Sequence, residues 1–323
     1  MSSGWPHRMM VSFRLTVLGK REVMKSAIAP PNICIYRGEY LHATMNFFEE
    51  IEEAIRLRTP VMIDFSQCQS INAAAAVMTF AKISRFQLIA DYIGMPNGHQ
   101  SLKIQLPDDK SVRAFFRHTG FHEAIRPGGK AKLKRLWHDE ENPFKTSNSP
   151  EPDLPALIRH LKNRLGKVPG KLMSALSEGY LNINHHAYTR DLIEDLFGRW
   201  WQYTSSIRPN GTFSVVLYDC GIGIPLSLNH KLTREVKWHT DNHAIEYAMQ
   251  KGNSRYADNH GRGNGFHNIK KPVDINKEAK HLFIASGKGT VIYKDQKIDK
   301  SEMHHNYSFG GTLIEWCFDG EAR

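Results

Sequence analysis

Three polar residues in the second half of the chain have the types and spacing of a site that holds a metal ion and activates a hydroxyl group. Glu178, Asn182 and His186 follow one another at every fourth position, which places them along one side of an α-helix. Glu178 could accept a proton from an attacking water or hydroxyl. Asn182 offers an uncharged oxygen that suits Mg²⁺, because this ion takes few protein ligands and keeps several waters. An ordinary amphipathic helix with outward polar residues would show the same pattern.

A second block runs from Asp219 to Pro225, directly after an apolar run that is typical of a strand. A carboxylate at this point can accept a hydrogen bond from an exocyclic amine, which adenine has and guanine lacks at the same position. Gly221 and Gly223 allow the backbone to approach a flat ring, because neither has a Cβ atom. Ile224 would form part of the pocket wall. A simple strand-to-loop turn is the alternative interpretation.

A third block has glycines at alternate positions immediately before a predicted helix. A glycine-rich turn at a helix N-terminus presents N–H groups and the positive end of the helix dipole to phosphate. The block matches neither the GxGxxG turn of dinucleotide-binding folds nor the GxxxxGK(S/T) loop in the context that those patterns require. A surface loop is the alternative. The residues predicted to contact nucleotide are Gly261, Arg262, Gly263, Asn264, Gly265 and Phe266.

The fourth block, Gly310-Gly311-Thr312, opens a predicted strand. Its glycines permit close backbone approach, and the Thr312 hydroxyl could bind adenine or a nearby water. Taken alone, the block is typical of a β-bulge or a strand start. The order and spacing of all four blocks are therefore more informative than any one of them.

In this order, the four blocks resemble the motifs of the GHKL ATPase superfamily, which includes gyrase, histidine kinases and MutL. The resemblance covers residues 165–318, about half of the chain. It implies an α/β sandwich with a mixed sheet and helices on one face, with ATP and Mg²⁺ as ligands and residues 252–265 as a lid. It also implies that Glu178 is the catalytic base, Asn182 the Mg²⁺ ligand and Asp219 the residue that reads adenine. The predicted ATP-binding residues outside the third block are Asn182, His186, Asp219, Gly221, Gly223, Ile224 and Thr312.

The first half of the chain is similar to a STAS domain, the fold of the antagonists of anti-sigma factors. The similarity depends on the apolar run at 61–66 and the segment 71–75 that follows it. The antagonists carry a phosphorylated serine at the start of this helix, whereas this chain has Asn72, Ala73, Ala74 and Ala75, none of which can accept phosphate. A self-phosphorylated switch is therefore not expected. The block at 178–188 is in turn most similar to bacterial anti-sigma serine kinases.

These patterns predict an α/β chain with four parts. Residues 1–30 form a leader, 31–126 a STAS-like domain, 127–155 a basic, proline-rich linker, and 156–323 the ATP-binding domain. The linker is too rich in proline to form the helix pair through which histidine kinases dimerise. A sensor histidine kinase is therefore disfavoured.

Hydrophobic periodicity predicts the elements that position the four blocks. In the first half, the predicted strands are 33–36 and 61–65, and the predicted helices are 47–55, 72–86 with Asn72 as N-cap, and 112–118. In the second half, one predicted helix carries Leu172, Leu176, Ile183 and Ala187 on one face. A strand at 213–218 leads into Asp219, a helix covers 243–250, a hairpin joins strands 282–286 and 290–293, and 312–318 closes the sheet.

The net charge of +10 is diffuse, and its densest part is the basic cluster, defined as Arg126, Lys130, Lys132, Lys134 and Arg135. A solvated linker is one interpretation, and contact with nucleic acid or another anionic partner is the other. Four scattered cysteines without a CxxC pair indicate a reducing compartment, which points to the cytoplasm. The sequence shows no run of about 20 apolar residues that would predict a membrane span. The 17 histidines show no zinc-binding spacing.

The expected function is that of a Mg²⁺-dependent ATP-binding protein, an ATPase whose lid closure switches an interaction with a protein partner. An anti-sigma type of protein serine/threonine kinase is the first alternative, since phosphoryl transfer depends mainly on positioning. A non-catalytic ATP-dependent binding module is the second. A homodimer would agree with the superfamily, and nucleic acid has the weakest support among the expected partners.

Overall fold

The computed structural model describes residues 24–149, 152–188, 193–205, 211–229, 240–250, 265–299 and 307–320. Over these ranges the chain is mixed α/β, with two small parallel sheets and one large antiparallel sheet. Most of the predicted leader at 1–30 lies outside the described residues. Its last part includes the first strand, β1 (Lys25–Ile28).

The first half of the chain is built on the two small parallel sheets. One contains β1, β3 (Val61–Asp64) and β5 (Leu102–Gln105) in the order β1-β3-β5, and the other pairs β2 (Asn32–Ile33) with β4 (Ser70–Ile71). The helices are α1 (Gly38–Arg56), α2 (Ala73–Tyr92), α3 (Lys110–His118) and α4 (Phe121–Ile125). The strand predicted at 61–65 and the three helices predicted in this half are confirmed, and all three helices are longer than predicted.

Local chemistry explains where α2 begins. The side-chain oxygen of Asn72 accepts a hydrogen bond from the Ala75 N–H at 2.7 Å, which satisfies one of the donors that a helix leaves open in its first turn. The strand predicted at 33–36 is wrong beyond Ile33. Tyr36 instead turns towards the second half of the chain, where its hydroxyl donates to Glu315 and its ring packs edge-on against Phe283 at 5.3 Å.

The second half of the chain contributes a seven-stranded sheet. Its strands are β6 (Phe144–Ser147), β7 (Trp200–Thr204), β8 (Thr212–Asp219), β9 (Ala279–Ser286), β10 (Gly289–Lys294), β11 (Lys297–Asp299) and β12 (Thr312–Asp319), in the order β11-β10-β9-β12-β8-β7-β6. The accompanying helices are α5 (Gly129–His138), α6 (Leu154–Leu165), α7 (Leu172–Asn182), α8 (Gly223–Asn229), α9 (Asp241–Met249) and α10 (Gly265–Ile275). The strands predicted at 213–218 and 312–318, the hairpin and the helix at 243–250 are confirmed.

The mixed sheet implied by the resemblance is wrong for the described strands, because every neighbouring pair in this sheet is antiparallel. β8 and β9 run in the same direction, as the helical connection between them allows. However, β12 lies between β8 and β9 and pairs antiparallel to both. The last strand therefore separates the two strands that would otherwise form a parallel pair.

The segment 127–155 is not the linker that its composition predicts. It forms α5 and then β6, which pairs with β7 as the edge strand of the large sheet. Leu133 and Leu136 of α5 are buried, and Phe144 of β6 is 1% exposed. The described glycines and prolines of this segment lie at or next to the ends of elements, so its composition suggested a linker although its apolar residues pack into the core.

The basic cluster is not a continuous surface patch either. Lys132 is 1% exposed, and its ammonium group donates to the Gln87 side chain and to the carbonyls of Ala124 and Arg126 at 2.8 to 3.0 Å. Burial holds the pKa of Lys132 well below its ordinary value. One of the five cluster residues therefore has a structural contact in the core.

The large sheet has a separate hydrophobic core on each face. Side chains of α6, α7, α9 and α10 pack on one face, against strand residues such as Trp200, Leu217 and Trp316. The opposite face, which includes Trp201 and Tyr218, shares its core with the first half of the chain. The two halves are therefore packed together through the sheet. α6, α7, α9 and α10 lie on one face of the sheet, whereas Leu133 and Leu136 of α5 belong to the core on the other face.

α2 lies at the centre of this packing, in contact with α1, β7 and β8. It is the one helix among the described residues whose length and composition would allow it to cross a membrane. The mean hydropathy over an 18-residue stretch of this helix reaches 1.2, and 89% of that stretch is buried within the protein. Burial in the core accounts for this apolar composition.

Candidate functional site

The first block lies where α7 changes its helical geometry. Glu178 and Asn182 are half-buried residues of α7 and lie one turn apart, as predicted. His186 belongs to a π-helical turn, Ile183–Ala187, that continues the helix. A π-helix bonds residues five apart instead of four, so the prediction that all three side chains follow one side of a regular α-helix is wrong for His186. The apolar residues predicted on this helix, Leu172, Leu176, Ile183 and Ala187, are all buried.

A hydrogen bond between side chains connects the first block to the helix of the third. Asn268 of α10 donates through Nδ2 to the Glu178 carboxylate at 3.1 Å. Sequence analysis did not identify Asn268, because nothing in its neighbourhood distinguishes it from a surface residue. The bond fixes one oxygen of the carboxylate and leaves the other available to accept a proton.

Only the end of the third block can be located. Gly265 is the first residue of α10, so the prediction that this block opens a helix is confirmed, and Phe266 is half-buried against the core. Gly261, Arg262, Gly263 and Asn264 lie outside the described residues, as does nearly all of the predicted lid at 252–265. Their predicted contacts with phosphate stay predictions.

The Asn182 amide retains hydrogen-bonding capacity that the described protein groups do not use. Its Nδ2 atom is buried and has no partner among these residues. Buried amide groups are usually paired, so this side chain is suited to a further ligand. The described residues contain no group of three or more His, Cys, Asp or Glu side chains that could hold a metal ion. A metal ion at this position would therefore need ligands of other kinds. Mg²⁺, for example, takes several of its ligands from water and phosphate.

Asp219 is the last residue of β8 and is 2% exposed. Its Oδ1 atom accepts a hydrogen bond from the Gly221 N–H at 2.7 Å. Burial raises the pKa of the carboxyl group from 3.8 to about 7, although backbone N–H groups of Gly221 and Thr312 lower it in part. Near neutral pH, this carboxylate is therefore present in both protonation states and would be stabilised as an anion by one more donor.

The loop after Asp219 is docked against the π-helical turn of the first block. The Ile222 N–H donates to the Ala187 carbonyl at 2.7 Å. A Cβ atom at Gly221 would lie only 2.2 Å from the same oxygen, so no other residue fits without movement of the backbone. The Tyr188 hydroxyl also accepts from the Cys220 N–H at 3.3 Å. These contacts bring the first and second blocks together.

The fourth block lies directly over Asp219. Gly311 has a φ of +136°, and a Cβ atom there would lie 1.9 Å from the Asp219 carbonyl oxygen. Thr312 pairs with Asp219 in the register of β12 and β8. The glycines at 221 and 311 are thus required by contacts within the protein itself, and the approach of a flat ligand is not needed to explain them.

Ser286 connects these elements and was not predicted. It ends β9 opposite Thr312 and is completely buried. Its Oγ accepts from the Ile224 N–H at 2.8 Å, donates to the Gly311 carbonyl at 3.0 Å and lies 3.1 Å from the Thr312 hydroxyl. It also lies where a Cβ atom at Gly223 would clash, at 2.8 Å. The only signal in the sequence is its position before the hairpin glycine, which is too common to be informative.

The fold and the site define a mixed α/β protein in which a buried aspartate ends a strand, with parts of the first, second and fourth blocks packed around it. We found no match to a protein-family model and no significant match to a curated protein or a solved structure. A function can therefore be argued only from the residues and the geometry of this chain.

Proposed function

We propose that the chain is a Mg²⁺-dependent ATP-binding protein of the GHKL kind, and that it hydrolyses ATP to switch an interaction with a protein partner. The observation that carries the proposal is the buried carboxylate of Asp219, whose pKa is raised to about 7. A buried carboxylate is costly unless donors satisfy it. The exocyclic amine of adenine is a donor of the required kind.

The surroundings of Asp219 support adenine at this position. Ile224 is a buried apolar residue near the start of α8, and it is held by the bond from its N–H to Ser286. The Thr312 hydroxyl lies beside Asp219 in the sheet register and could bind the ring or a water next to it. A flat, apolar ring with one amine fits this combination of groups.

The polyphosphate and the metal would lie along α7 and the start of α10. Asn182 would hold Mg²⁺ through its amide oxygen. Bound Mg²⁺ would neutralise charge on the phosphates. The N–H groups at the start of α10, near Gly265 and Phe266, would face phosphate oxygens. His186 is a candidate for contact with the nucleotide from the π-helical turn.

Glu178 is the candidate for the catalytic base. It is half-buried, it lies one helical turn before Asn182, and one of its oxygens is held by Asn268 at 3.1 Å. A carboxylate that is held in one orientation and close to the metal ligand can accept a proton from water. The same carboxylate would accept the proton of a hydroxyl on a protein substrate.

Contacts between the two halves suggest how a partner could be switched. α2 of the first half packs against β8, the strand that ends at Asp219. Gly310 of the fourth block lies near the Lys82 ammonium of the same helix, and Lys82 also pairs with Glu52 of α1. A change at the nucleotide would therefore reach the STAS-like half through direct packing, and we propose this half as the surface that binds the partner.

Phosphate release from Mg²⁺-ATP tests the proposal. The Glu178→Ala protein should bind ATP as the wild type does and release phosphate at least about 100-fold more slowly, because a positioned base contributes roughly 10² to 10⁴ in rate. Glu50→Ala, on the exposed face of α1, is the matched control and should retain full turnover. Unchanged turnover in Glu178→Ala would remove this residue from the mechanism.

An anti-sigma type of serine/threonine kinase is the second candidate, because the block at 178–188 most resembles those enzymes. The kinase would be favoured if the wild type binds ATP, releases no free phosphate and transfers phosphate to a protein partner. Bound ATP with neither reaction would favour a non-catalytic binding module. Cytoplasmic location, a homodimer and contact with nucleic acid stay predictions.

A further inference from the structure

A cleft of about 600 Å³ opens between the first half of the chain and the β6–β7 edge of the large sheet. Its walls come from β2, the segment before α1, the start of α2, and α3, and its far side comes from β6 and β7. No described residue of the four blocks lines it. Its volume falls in the range of pockets that bind small molecules.

The inner part of the cleft is aromatic and rigid. The rings of Phe144 and Tyr203 stack at a centroid distance of 4.4 Å and an angle of 25°. Phe121 packs against Phe144 at 5.7 Å, and all three residues are at least nine-tenths buried. Tyr36 and Tyr40 add further aromatic surface on the side of the first half. Such a lining favours a flat, apolar ring, because rings stack in offset or edge-on contacts.

Arg37 is the one charged side chain among the described residues of the lining. It is 72% exposed and has only a loose contact with Glu39 at 3.9 Å, so it could pair with a ligand. The lining that the structure describes contains neither aspartate nor glutamate.

We propose that this cleft binds a small aromatic anion, with a flat ring against the accessible aromatic side chains of the lining, Tyr36, Tyr40 and Phe115, and a carboxylate or sulfonate near Arg37. The site is separate from the nucleotide site, and the proposal does not depend on ATP binding. Because residues of both halves line the cleft, a bound ligand would hold the halves together. Its occupancy would raise the midpoint of thermal unfolding.

Anilinonaphthalene sulfonate is a suitable probe, since it combines flat rings with one anionic group and fluoresces when it is held in an apolar site. The titration uses the full-length protein with saturating Mg²⁺-ATP present. We expect saturable binding of one probe per chain that ATP does not displace. Displacement by ATP, or the absence of saturable binding to the folded wild type, would overturn the proposal.

Two variants locate the probe. Ala76→Trp fills the cleft from α2 and should weaken binding by more than about tenfold, which corresponds to about 1.4 kcal/mol. Arg37→Gln removes the charge and should weaken binding about three- to tenfold, as expected for a charge-assisted contact. Arg56→Gln is the matched control: Arg56 is also 72% exposed, also lies 3.9 Å from a glutamate and is not in the cleft.

The thermal midpoint of each variant separates a local effect from misfolding. Arg37 is at the surface, so its substitution should leave folding intact even if Ala76→Trp does not. Equal losses in Arg37→Gln and Arg56→Gln would contradict the proposed site. The proposed site would be supported if probe binding weakens in Arg37→Gln and Ala76→Trp but not in Arg56→Gln, and if at least Arg37→Gln stays folded.

Discussion

At the residue scale, Asp219 dominates the chemistry of the candidate site. Carboxylates are seldom fully buried without a charged partner, and the described hydrogen bonds to this one come from backbone N–H groups of Gly221 and Thr312. Burial has the larger effect, so the pKa is raised to about 7. The group therefore titrates in the range where most binding measurements are made.

We predict that ATP affinity rises as the pH increases from 6 to 8. An amine donor favours the ionised carboxylate, and with a pKa of about 7 the ionised fraction grows about tenfold over this interval. Affinity should level off above pH 8. Isothermal titration at several pH values measures this. ATP itself also titrates near neutral pH, so Asp219→Asn serves as the control. Only the difference between the affinity–pH curves of the two proteins measures the ionisation of Asp219. Parallel profiles would contradict the prediction.

The same pKa makes a prediction about stability without nucleotide. Between pH 4 and pH 7 the folded carboxyl group, with its pKa of about 7, retains a proton that the unfolded group, with an ordinary value of 3.8, has released. The contribution of Asp219 to the free energy of unfolding therefore falls as the pH rises through this window. In urea unfolding, the slope of the free energy of unfolding against pH should be more positive in Asp219→Asn than in the wild type. The same slope in both proteins would mean that Asp219 is solvated.

Residue types and spacing could predict Asp219, Glu178 and Asn182 as candidates, because their side chains carry chemistry that the pattern requires. Ser286 and Asn268 could not be predicted. Each acts through a contact with a residue far away in the sequence, Ser286 with Gly311 and Asn268 with Glu178. Such contacts exist only after the strands and helices have packed.

At the element scale, glycines decide how closely the second and fourth blocks pack. We predict that Gly311→Ala destabilises the protein by about 2 to 4 kcal/mol, since the added Cβ would meet the Asp219 carbonyl at 1.9 Å and the φ of +136° is strained for alanine. Urea unfolding measures the loss. The register of β12 against β8 would have to shift to accommodate the methyl group.

Gly94→Ala is the control for backbone strain alone. Gly94 also has a positive φ, +63°, but a Cβ there would meet no atom within 4 Å. Its substitution should cost only about 1 kcal/mol. Equal costs at the two positions would show that the clash with Asp219 is not what requires glycine at position 311.

Elements with strong local signals were predictable, and those that depend on distant packing were not. The N-cap at Asn72 and the strand that precedes Asp219 follow from local sequence, and both are confirmed. The π-helical turn after Asn182 has no comparable signal, and the docking of Ile222 on Ala187 is a long-range contact. The segment 127–155 was misassigned because its prolines and glycines suggested a linker, whereas β6 gains its order from pairing with β7.

At the scale of the whole molecule, the large sheet is shared by the two halves. One of its faces is covered by helices of the second half, and the other contributes Trp201, Val216 and Tyr218 to the core of the first half. We predict that calorimetry shows one cooperative unfolding transition. Two separate transitions would contradict a shared core, because each half would then be stable by itself.

Sequence analysis divided the chain into two domains joined by a linker, and it had no means to detect this shared face. Alternation of apolar residues along β7 and β8 shows that strands have buried faces, but it does not say which part of the chain covers each. Mixed α/β content was predictable from periodicity. The insertion of β12 between β8 and β9 could not be predicted, because long-range contacts set the order in which strands pair.

The binding of ATP and GTP to wild type and Asp219→Asn, measured by titration calorimetry at pH 8 with Mg²⁺, tests the central claim most directly. Asp219 should accept from the amine of adenine, whereas guanine presents a carbonyl oxygen at the same position. We expect the wild type to prefer ATP by at least about 100-fold, as expected when a buried polar group is left unpaired, and Asp219→Asn to lose most of this preference. Equal affinity of the wild type for both nucleotides, or an unchanged preference in Asp219→Asn, would contradict the account.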